Sequence, residues 1–202
     1  MITKVLLATR NAHKLEELRR ILAPLVPDVE VVGLADVPEY DETPETGATF
    51  AENALVKAQD GVKHTGLVTV ADDSGIAVDA LNGMPGVLSA RWSGRAKDDA
   101  ANNALLLGQL ADVPDERRGA AFVCAATLAA PDGATEVVEA RMTGRVIREP
   151  RGSNGFGYDP LFVPDGHEVT SAELSSAEKD AISHRGQALR ELLPLLVAHL
   201  RD

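Results

Sequence analysis

The sequence contains a single cysteine, Cys124, among its 202 residues. One cysteine cannot form an intrachain disulfide, and the apolar run Ala120–Leu128 around it indicates a buried strand residue rather than a nucleophile. Disulfides are typical of oxidising compartments, so we expect a cytoplasmic protein. Met1 leads directly into a strand-like pattern without a basic and apolar leader, which agrees with that expectation.

Long apolar runs and an excess of basic residues are also lacking. The stretch Ala120–Ala130 is too short to cross a bilayer, which takes about 20 residues. Asp and Glu number 31 against 20 Lys and Arg, and the resulting net charge of −11 repels polyanions. We therefore expect no membrane and no nucleic acid polymer as a partner. A small anion that arrives with Mg²⁺, such as a free nucleotide, remains compatible with this composition.

Several common catalytic motifs are missing. There is no GxxxxGK[ST] loop, no GxSxG nucleophile elbow and no Cys or His cluster with metal-ligand spacing. The glycine-rich segment Gly152–Gly157 lacks the GxGxxG order and does not open a helix, which excludes a Rossmann site. With 45% apolar residues and no linker or repeat, the chain is expected to form one domain over residues 1–202.

The first half of the chain alternates strand and helix patterns. Val5–Ala8 predicts a strand, followed by helical spacing from Asn11 to Leu22 that Pro24 and Pro27 end. Val29–Leu34 predicts a second strand, and Thr49–Glu52 is a capping box for a helix to about Val62. The third strand, Leu67–Ala71, would place Asp72 and Asp73 at its carboxyl end, where open α/β sheets bind ligands.

The second half predicts a hairpin between two helices. Asp98 or Asp99 would cap a helix to Leu110, and Pro131–Gly133 would join the strands Ala120–Ala130 and Thr135–Met142. Ser183 would cap a last helix that Pro194 should kink or interrupt. The core-facing leucines of that helix are Leu189, Leu192, Leu193 and Leu196. The fold class is therefore α/β with a mixed sheet flanked by helices.

Two helix starts carry cations where the helix dipole disfavours them. One holds Arg10, His13 and Lys14, and the other holds His184 and Arg185. A bound anion would relieve this conflict, so Thr9–Lys14 is predicted to cradle phosphate. The alternative is a solvated basic turn with Asn11 as a cap.

Adjacent carboxylates follow the third strand. Asp72 and Asp73 repel each other unless a cation or a general-base role retains them, and only one should face the ligand because neighbouring strand residues alternate. The alternative is an Asx turn before Gly75. Glu45 is a candidate second carboxylate for a metal, although the sequence cannot choose it over Asp41, Glu42 or Asp72. Lys57 shares a helix face with Asn53. The alternative for Glu45 and Lys57 is that they are ordinary surface residues.

Two further segments suggest recognition of a base. Phe156 could stack on a base, and Asp159 could accept from a ring or sugar donor. The alternative is that Phe156 fills the core. Ser183, His184 and Arg185 offer donors that suit a purine carbonyl, with Lys179 nearby in sequence, whereas a capped surface histidine is the alternative for His184.

Taken in order along nearly the whole chain, these motifs resemble the inosine/xanthosine triphosphate pyrophosphatase family. The matching blocks are Thr9–Lys14, Glu45–Gly47, Phe50–Ala54, Ala71–Gly75, Pro85–Val87, Ser89–Gly94, Gly155–Pro160 and Ser183–Gly186. The resemblance implies a Mg²⁺-dependent homodimeric enzyme with an elongated mixed β-sheet flanked by helices, in two lobes with a central substrate cleft.

The resemblance also implies residue roles. Asp73 would be the catalytic proton acceptor and a metal ligand, with Glu45 assisting the metal. The residues that would bind substrate are Thr9, Arg10, Asn11, Ala12, His13, Lys14, Lys57, Ser74, Phe156, Gly157, Tyr158, Asp159, Lys179, His184 and Arg185. Arg10 departs from the pattern, since many relatives carry a small residue there.

The expected reaction is attack of water on the α-phosphorus of an aberrant purine nucleoside triphosphate (ITP, dITP or XTP), giving the monophosphate and pyrophosphate. Two alternatives remain at this point. One is a non-catalytic purine nucleotide-binding regulator, and the other is a pyrophosphatase for modified pyrimidine triphosphates.

Overall fold

The computed structural model describes residues 3–22, 28–94 and 98–201 and has a mixed α/β fold. The strands are β1 (Thr3–Leu7), β2 (Val29–Gly33), β3 (Val68–Val78), β4 (Gly119–Ala129), β5 (Thr135–Val146) and β6 (Phe162–Pro164). The helices are α1 (Ala12–Leu22), α2 (Phe50–Thr65), α3 (Asp99–Gln109), α4 (Ser176–Ile182) and α5 (His184–Arg201).

One six-stranded sheet has the order β2-β1-β3-β4-β5-β6. Strand β1 pairs in parallel with β2 and β3, whereas β5 and β6 are antiparallel. The sheet is therefore mixed, and the predicted fold class is confirmed. Pro24 and Pro27, the predicted stop of α1, lie outside the described residues.

The described chain divides into two compact units. Unit 1 takes the described parts of Met1–Asp73, Cys124–Ala140 and Arg185–Asp202. Unit 2 comprises Ser74–Val123 and Arg141–His184.

Local sequence signals explain how the helices of unit 1 begin and end. The Thr49 side chain accepts the N–H of Glu52 and starts α2, which ends at Gly66 in the left-handed conformation. Helix α2 extends to Thr65, beyond its predicted end. Helix α5 runs through Pro194 without an interruption, which leaves a kink as the remaining prediction for this proline. Its buried leucines pack in the core of unit 1, as predicted.

The turn of the predicted hairpin is present and lies in unit 1. Strands β4 and β5 are neighbours in the sheet. The N–H of Gly133 donates to Ala130 O at 3.0 Å, and Gly133 has φ 93°, a left-handed conformation that favours glycine. This turn sets where the two strands begin their pairing.

Strand β3 is longer than predicted, so Asp72 and Asp73 lie inside it rather than at its end. Pairing with β1 stops at Val70, which leaves both carboxylates beyond the carboxyl end of that neighbouring strand.

Gly75 lies within β3 and not in a turn. Glycine is needed there because Ser89 approaches the strand closely. Its φ is not positive, and the N–H of the next residue, Ile76, donates to Ser89 Oγ at 2.9 Å. A Cβ on Gly75 would lie 2.3 Å from that same oxygen, so only glycine fits there. The glycine that suggested a turn in the sequence therefore allows the strand to continue.

Arg118 organises the backbone of unit 2. The residue is 2% exposed, and its guanidinium donates to the carbonyls of Val146, Leu110 and Ile147 at 2.8, 2.6 and 3.1 Å. We expect Arg118→Met to lower the free energy of unfolding by about 3 kcal/mol, because buried carbonyls lose charged donors. Urea unfolding measures this change.

Arg148→Met is the matched control for Arg118. Arg148 also donates to two carbonyls, but its side chain is 51% exposed, so water can replace it. We expect Arg148→Met to lower the free energy of unfolding by no more than about 1 kcal/mol. Equal losses in the two variants would contradict the role given to Arg118.

Candidate functional site

The first group of predicted site residues meets around the Lys57 ammonium in unit 1. Lys57 Nζ lies 3.1 Å from Glu45 Oε1, 3.2 Å from Asp73 Oδ1 and 2.7 Å from the carbonyl oxygen of Asp72. Asn53 Nδ2 donates to the other Asp73 oxygen at 3.1 Å. We call Glu45, Asn53, Lys57 and Asp73 the Lys57 cluster.

Helix α2 positions this cluster. Asn53 and Lys57 are four residues apart and therefore share a helix face. The Asn53 Oδ1 atom accepts the N–H of Gly47 at 2.8 Å, which leaves the amide nitrogen to face Asp73. A Cβ on Gly47 would lie 2.7 Å from that Oδ1 atom, so glycine allows the chain before α2 to pass this closely.

Asp73 is held as a poor acid. Burial raises its pKa, Lys57 opposes that rise, and the nearby Glu45 charge adds to it, so the pKa of Asp73 lies above its usual value. Burial lowers the pKa of Lys57, but Asp73, Asp72 and Glu45 outweigh it and raise that pKa. A carboxylate with a raised pKa and a lysine that stays charged suit proton transfer beside an anion.

Asp72 belongs to a different and more deeply buried group. Its Oδ2 atom lies 2.8 Å from Lys14 Nζ and 3.2 Å from Arg185 Nε, and Arg185 Nη1 lies 2.7 Å from Glu17 Oε2. We call Lys14, Glu17, Asp72 and Arg185 the Asp72 network. Burial acts to raise the pKa of Asp72, but Lys14 and Arg185 hold it far below its usual range.

The two neighbouring carboxylates therefore take partners from different helices, as strand alternation predicts. The partners of Asp73 come from α2, whereas those of Asp72 come from α1 and α5. Lys14 and Arg185, cations near helix starts, are bound to protein carboxylates, so a bound anion is not needed to explain them. Cys124 Sγ lies 4.0 Å from Asp72 Oδ2, and burial raises the pKa of this thiol well above its usual value, which fits the predicted non-nucleophilic residue.

The loop before α1 has the Asn11 cap of the alternative interpretation, and the phosphate cradle at Thr9–Lys14 stays a prediction. Asn11 Oδ1 accepts the N–H of Lys14 at 3.4 Å, as a cap would, and Thr9 Oγ1 accepts the N–H of Asn11 at 3.2 Å. Arg10 is exposed and ion-paired with Glu42. Ala12 is the first residue of α1, and the side chain of His13 lies outside what the structure describes.

The aromatic segment lies in unit 2 and is organised by Asp159. The buried Asp159 accepts the N–H of Phe156 at 2.8 Å and forms an ion pair with Lys179. Lys179 Nζ lies 5.2 Å from the centroid of the partly exposed Phe156 ring. Gly155 has φ 75°, and a Cβ there would lie 2.1 Å from Asp159 Oδ2, so this turn requires glycine.

Tyr158, not Phe156, is the ring of this segment that packs in the core of unit 2. Tyr158 is 4% exposed, packs in the apolar cluster and donates its hydroxyl to Ser89 O at 2.8 Å. Gly157 is fixed between them by its N–H, which donates to Asp99 Oδ2 at 2.6 Å. Phe156 is thus the ring of this segment with a partly exposed face.

His184 and Arg185 are adjacent in sequence but lie in different units. His184 is 6% exposed and stacks on Phe122, with ring centroids 5.0 Å apart, so it is not a capped surface histidine. Ser183 closes α4 with an N–H bond to Lys179 O at 2.8 Å. Ser74 is partly buried in unit 2.

Sequence reasoning missed Glu17 and gave Asn53 no role. Glu17 lies three residues after Lys14, and this helical spacing was the available signal. Helix α4 was also missed, although Ser175 and Glu178 form the capping box that starts it.

The donor chemistry of the Lys57 cluster fits a magnesium ion. Among the described residues, no group of three or more His, Cys, Asp and Glu side chains is arranged to hold a metal. Magnesium is commonly bound through one or two carboxylates together with substrate phosphates. Glu45 and Asp73 supply two such carboxylates, and both form ion pairs with the Lys57 ammonium. Over the described part of the chain, no helix is both long and apolar enough to span a membrane.

Comparison with known proteins identifies the family. The family model described as Ham1 family matches residues 5–195. The dITP/XTP pyrophosphatase of Nocardia farcinica is 67% identical over 198 residues, which cover 98% of this chain and 96% of the relative.

Solved structures agree with that match. The crystal structure of the nucleoside-triphosphatase / dITP/XTP pyrophosphatase of Mycobacterium abscessus has a TM-score of 0.79 at 65% identity, covering 95% of this chain and all of that one. The Staphylococcus aureus Ham1 protein has a TM-score of 0.86 at 37% identity, covering 98% of this chain and 100% of that one.

The class is thereby defined as a nucleoside triphosphate pyrophosphatase, which is a hydrolase. The chain belongs to the Ham1 family. The resemblance inferred from the sequence and the prediction of an enzyme are both confirmed.

Proposed function

We propose that this chain hydrolyses ITP, dITP and XTP to the monophosphate and pyrophosphate, with Mg²⁺ as cofactor, and so clears aberrant purine nucleotides from the cytoplasmic pool. We also propose that it works as a homodimer. The names of the relatives, dITP/XTP pyrophosphatase, support the substrate class. The observation that carries the proposal is Asp73, a buried carboxylate with a raised pKa held between Asn53 and Lys57.

Asp73 is proposed to accept the proton of the water that attacks the α-phosphorus. Its raised pKa makes it a better base, and a general base contributes about 10²–10⁴-fold to a rate. Asn53 fixes the orientation of the carboxylate by its bond to the second oxygen.

The phosphates are proposed to bind Thr9, Arg10, Asn11, Ala12, His13, Lys14 and Lys57. The start of α1 presents the positive end of the helix dipole to an anion. Glu45 and Asp73 would hold the metal, which, when bound, neutralises charge on the leaving pyrophosphate.

The base is proposed to stack on Phe156, in a pocket formed by Gly157, Tyr158, Asp159 and Lys179, with Ser74 also contacting substrate. His184 and Arg185 would donate to the 6-keto oxygen of hypoxanthine or xanthine. The bonds from Arg185 to Asp72 and Glu17 would fix its guanidinium plane. The amino group of adenine would leave such a donor unpaired, and mismatches of this kind reject a substrate by about 10⁴–10⁵-fold.

Phe156→Ala is expected to raise KM for ITP by roughly 5- to 150-fold, because loss of a stacked base costs about 1–3 kcal/mol. The free energy of unfolding should change little, since Phe156 lies outside the apolar core cluster of unit 2. Steady-state kinetics with ITP measure the effect. Phe156→Tyr keeps the ring and serves as the control, and an unchanged KM in Phe156→Ala would contradict base stacking at this position.

A product assay tests the proposed function. The protein is incubated with ITP, XTP, ATP, GTP and dTTP in the presence of Mg²⁺, and pyrophosphate is measured separately from orthophosphate. The proposal expects pyrophosphate from ITP and XTP far above ATP. Preferential turnover of dTTP would favour a pyrophosphatase for pyrimidine triphosphates. Orthophosphate as the product would show that the β–γ bond is cleaved instead of the α–β bond.

A further inference from the structure

The ammonium of Lys57 has no donor to spare. A lysine ammonium carries three N–H donors. Lys57 Nζ has three oxygen acceptors, Glu45 Oε1 at 3.1 Å, Asp73 Oδ1 at 3.2 Å and the Asp72 carbonyl at 2.7 Å. Its side chain is 12% exposed. A phosphate oxygen can therefore be bound by Lys57 only if at least one of these acceptors is given up.

The same carboxylates are those proposed to hold the metal. We propose that Lys57 is a built-in cation that neutralises Glu45 and Asp73 until Mg²⁺ replaces it, and that the displaced ammonium then binds the triphosphate. This inference rests on the proposed function, because the metal and the triphosphate are those of that reaction. It adds that metal and substrate bind through an exchange of partners at one lysine.

Lys14 does not occupy the proposed metal ligands in this way, although it is also proposed to bind phosphate. Its partner Asp72 is 4% exposed and also bound by Arg185, and is not among the proposed metal ligands. The hydrogen bond from Lys57 to Asp72 goes to the backbone carbonyl, whereas the Asp72 carboxylate binds Lys14 and Arg185 and keeps both when Lys57 moves. The exchange is therefore confined to Glu45, Asp73 and Lys57.

The charges predict how the two ligands affect each other. A metal ion alone must displace an ammonium that gains no anion in return. A triphosphate alone must draw Lys57 away from two carboxylates that then repel each other. When both bind, each charge finds an opposite partner, so each ligand should strengthen binding of the other.

Calorimetric titration with Mg²⁺ alone tests the exchange. Lys57→Met removes the built-in cation, so we expect this variant to bind Mg²⁺ at least about tenfold more tightly than the unchanged protein, within the usual range of coupling between sites. Lys63→Met is the control, because Lys63 is an exposed lysine on the same helix and the change in net charge is the same. Its Mg²⁺ affinity should stay within about twofold of the unchanged protein. Equal or weaker Mg²⁺ binding by Lys57→Met would overturn the proposal.

A second measurement uses the unchanged protein and so does not depend on whether Lys57→Met folds. Lysine amines are reductively methylated with and without saturating Mg²⁺, and labelling of Lys57 relative to Lys63 is followed by mass spectrometry. Displacement by the metal should increase the relative labelling of Lys57. No change on addition of Mg²⁺ would overturn the proposal.

Both measurements omit nucleotide, so they separate this inference from the proposed function. Suppose that Lys57→Met binds Mg²⁺ more tightly but the unchanged protein releases no pyrophosphate from ITP. That result would overturn the proposed function and support the exchange. Pyrophosphate release by the unchanged protein, together with Mg²⁺ binding by Lys57→Met that is no tighter than that of the unchanged protein, would support the proposed function and overturn the exchange.

Discussion

Replacement of Asp73 by Asn is expected to lower kcat for ITP by about 10²–10⁴-fold, because the amide cannot accept the proton of the attacking water. Nucleotide binding should remain measurable, since the phosphate-binding residues are unchanged. One side of the new amide would face Lys57 or Asn53 with an N–H group, so thermal melting accompanies the kinetics to show that the variant is folded.

Asp132→Asn is the matched control for this variant. Asp132 lies in the exposed β4–β5 turn, where its carboxylate accepts the N–H of Ala134 at 2.9 Å, a bond that an asparagine oxygen can also accept. Its kcat should equal that of the unchanged protein. A folded Asp73→Asn variant with near-normal kcat would remove Asp73 from the role of base.

Replacement of Asp72 by Asn should have the largest effect on stability. The Asp72 carboxylate neutralises Lys14 and Arg185, and Arg185 has a side chain that is 4% exposed. Removal of one partner from a buried ion pair costs about 3–5 kcal/mol, because a buried charge is left uncompensated. Urea unfolding near neutral pH measures the loss.

An exposed pair supplies the control for Asp72. Glu30 lies 3.4 Å from Lys4 with about half of each side chain exposed, so Glu30→Gln should cost less than about 1 kcal/mol. If Asp72→Asn cost no more than Glu30→Gln, the Asp72 network would not be a stabilising element.

The pH dependence of the Asp72 effect has a defined sign. The pKa of Asp72 is depressed in the folded protein, so its contribution is present above the unfolded value of about 3.9 and is lost as pH falls below it. The stability difference between the unchanged protein and Asp72→Asn should therefore shrink between about pH 5 and pH 3. A difference that stays constant over this range would contradict the assignment.

Features that depend on neighbouring residues could be predicted from the sequence. The Thr49 cap, the helix that begins at Ala12 and the turn at Gly133 each follow from residues within one helical turn or one β-turn. The capping box at Ser175 was equally local and could have been found.

Features set by distant residues could not be predicted in this way. Gly75 stays in a strand because Ser89 accepts a neighbouring N–H, and Arg185 meets Glu17 across 168 positions of sequence. The sequence indicated the chemistry of Asp73, Lys57 and Glu45. It could not show that the three are bound to one another, because α2 and β3 bring them together only in the folded chain.

Hydrolysis of ITP in ¹⁸O-labelled water tests the central claim most directly, because it identifies the phosphorus that water attacks. If Asp73 activates water for attack on the α-phosphorus, mass spectrometry will find one ¹⁸O atom in the inosine monophosphate and none in the pyrophosphate. Label in the pyrophosphate, with none in the monophosphate, would place the attack on the β-phosphorus and contradict the account.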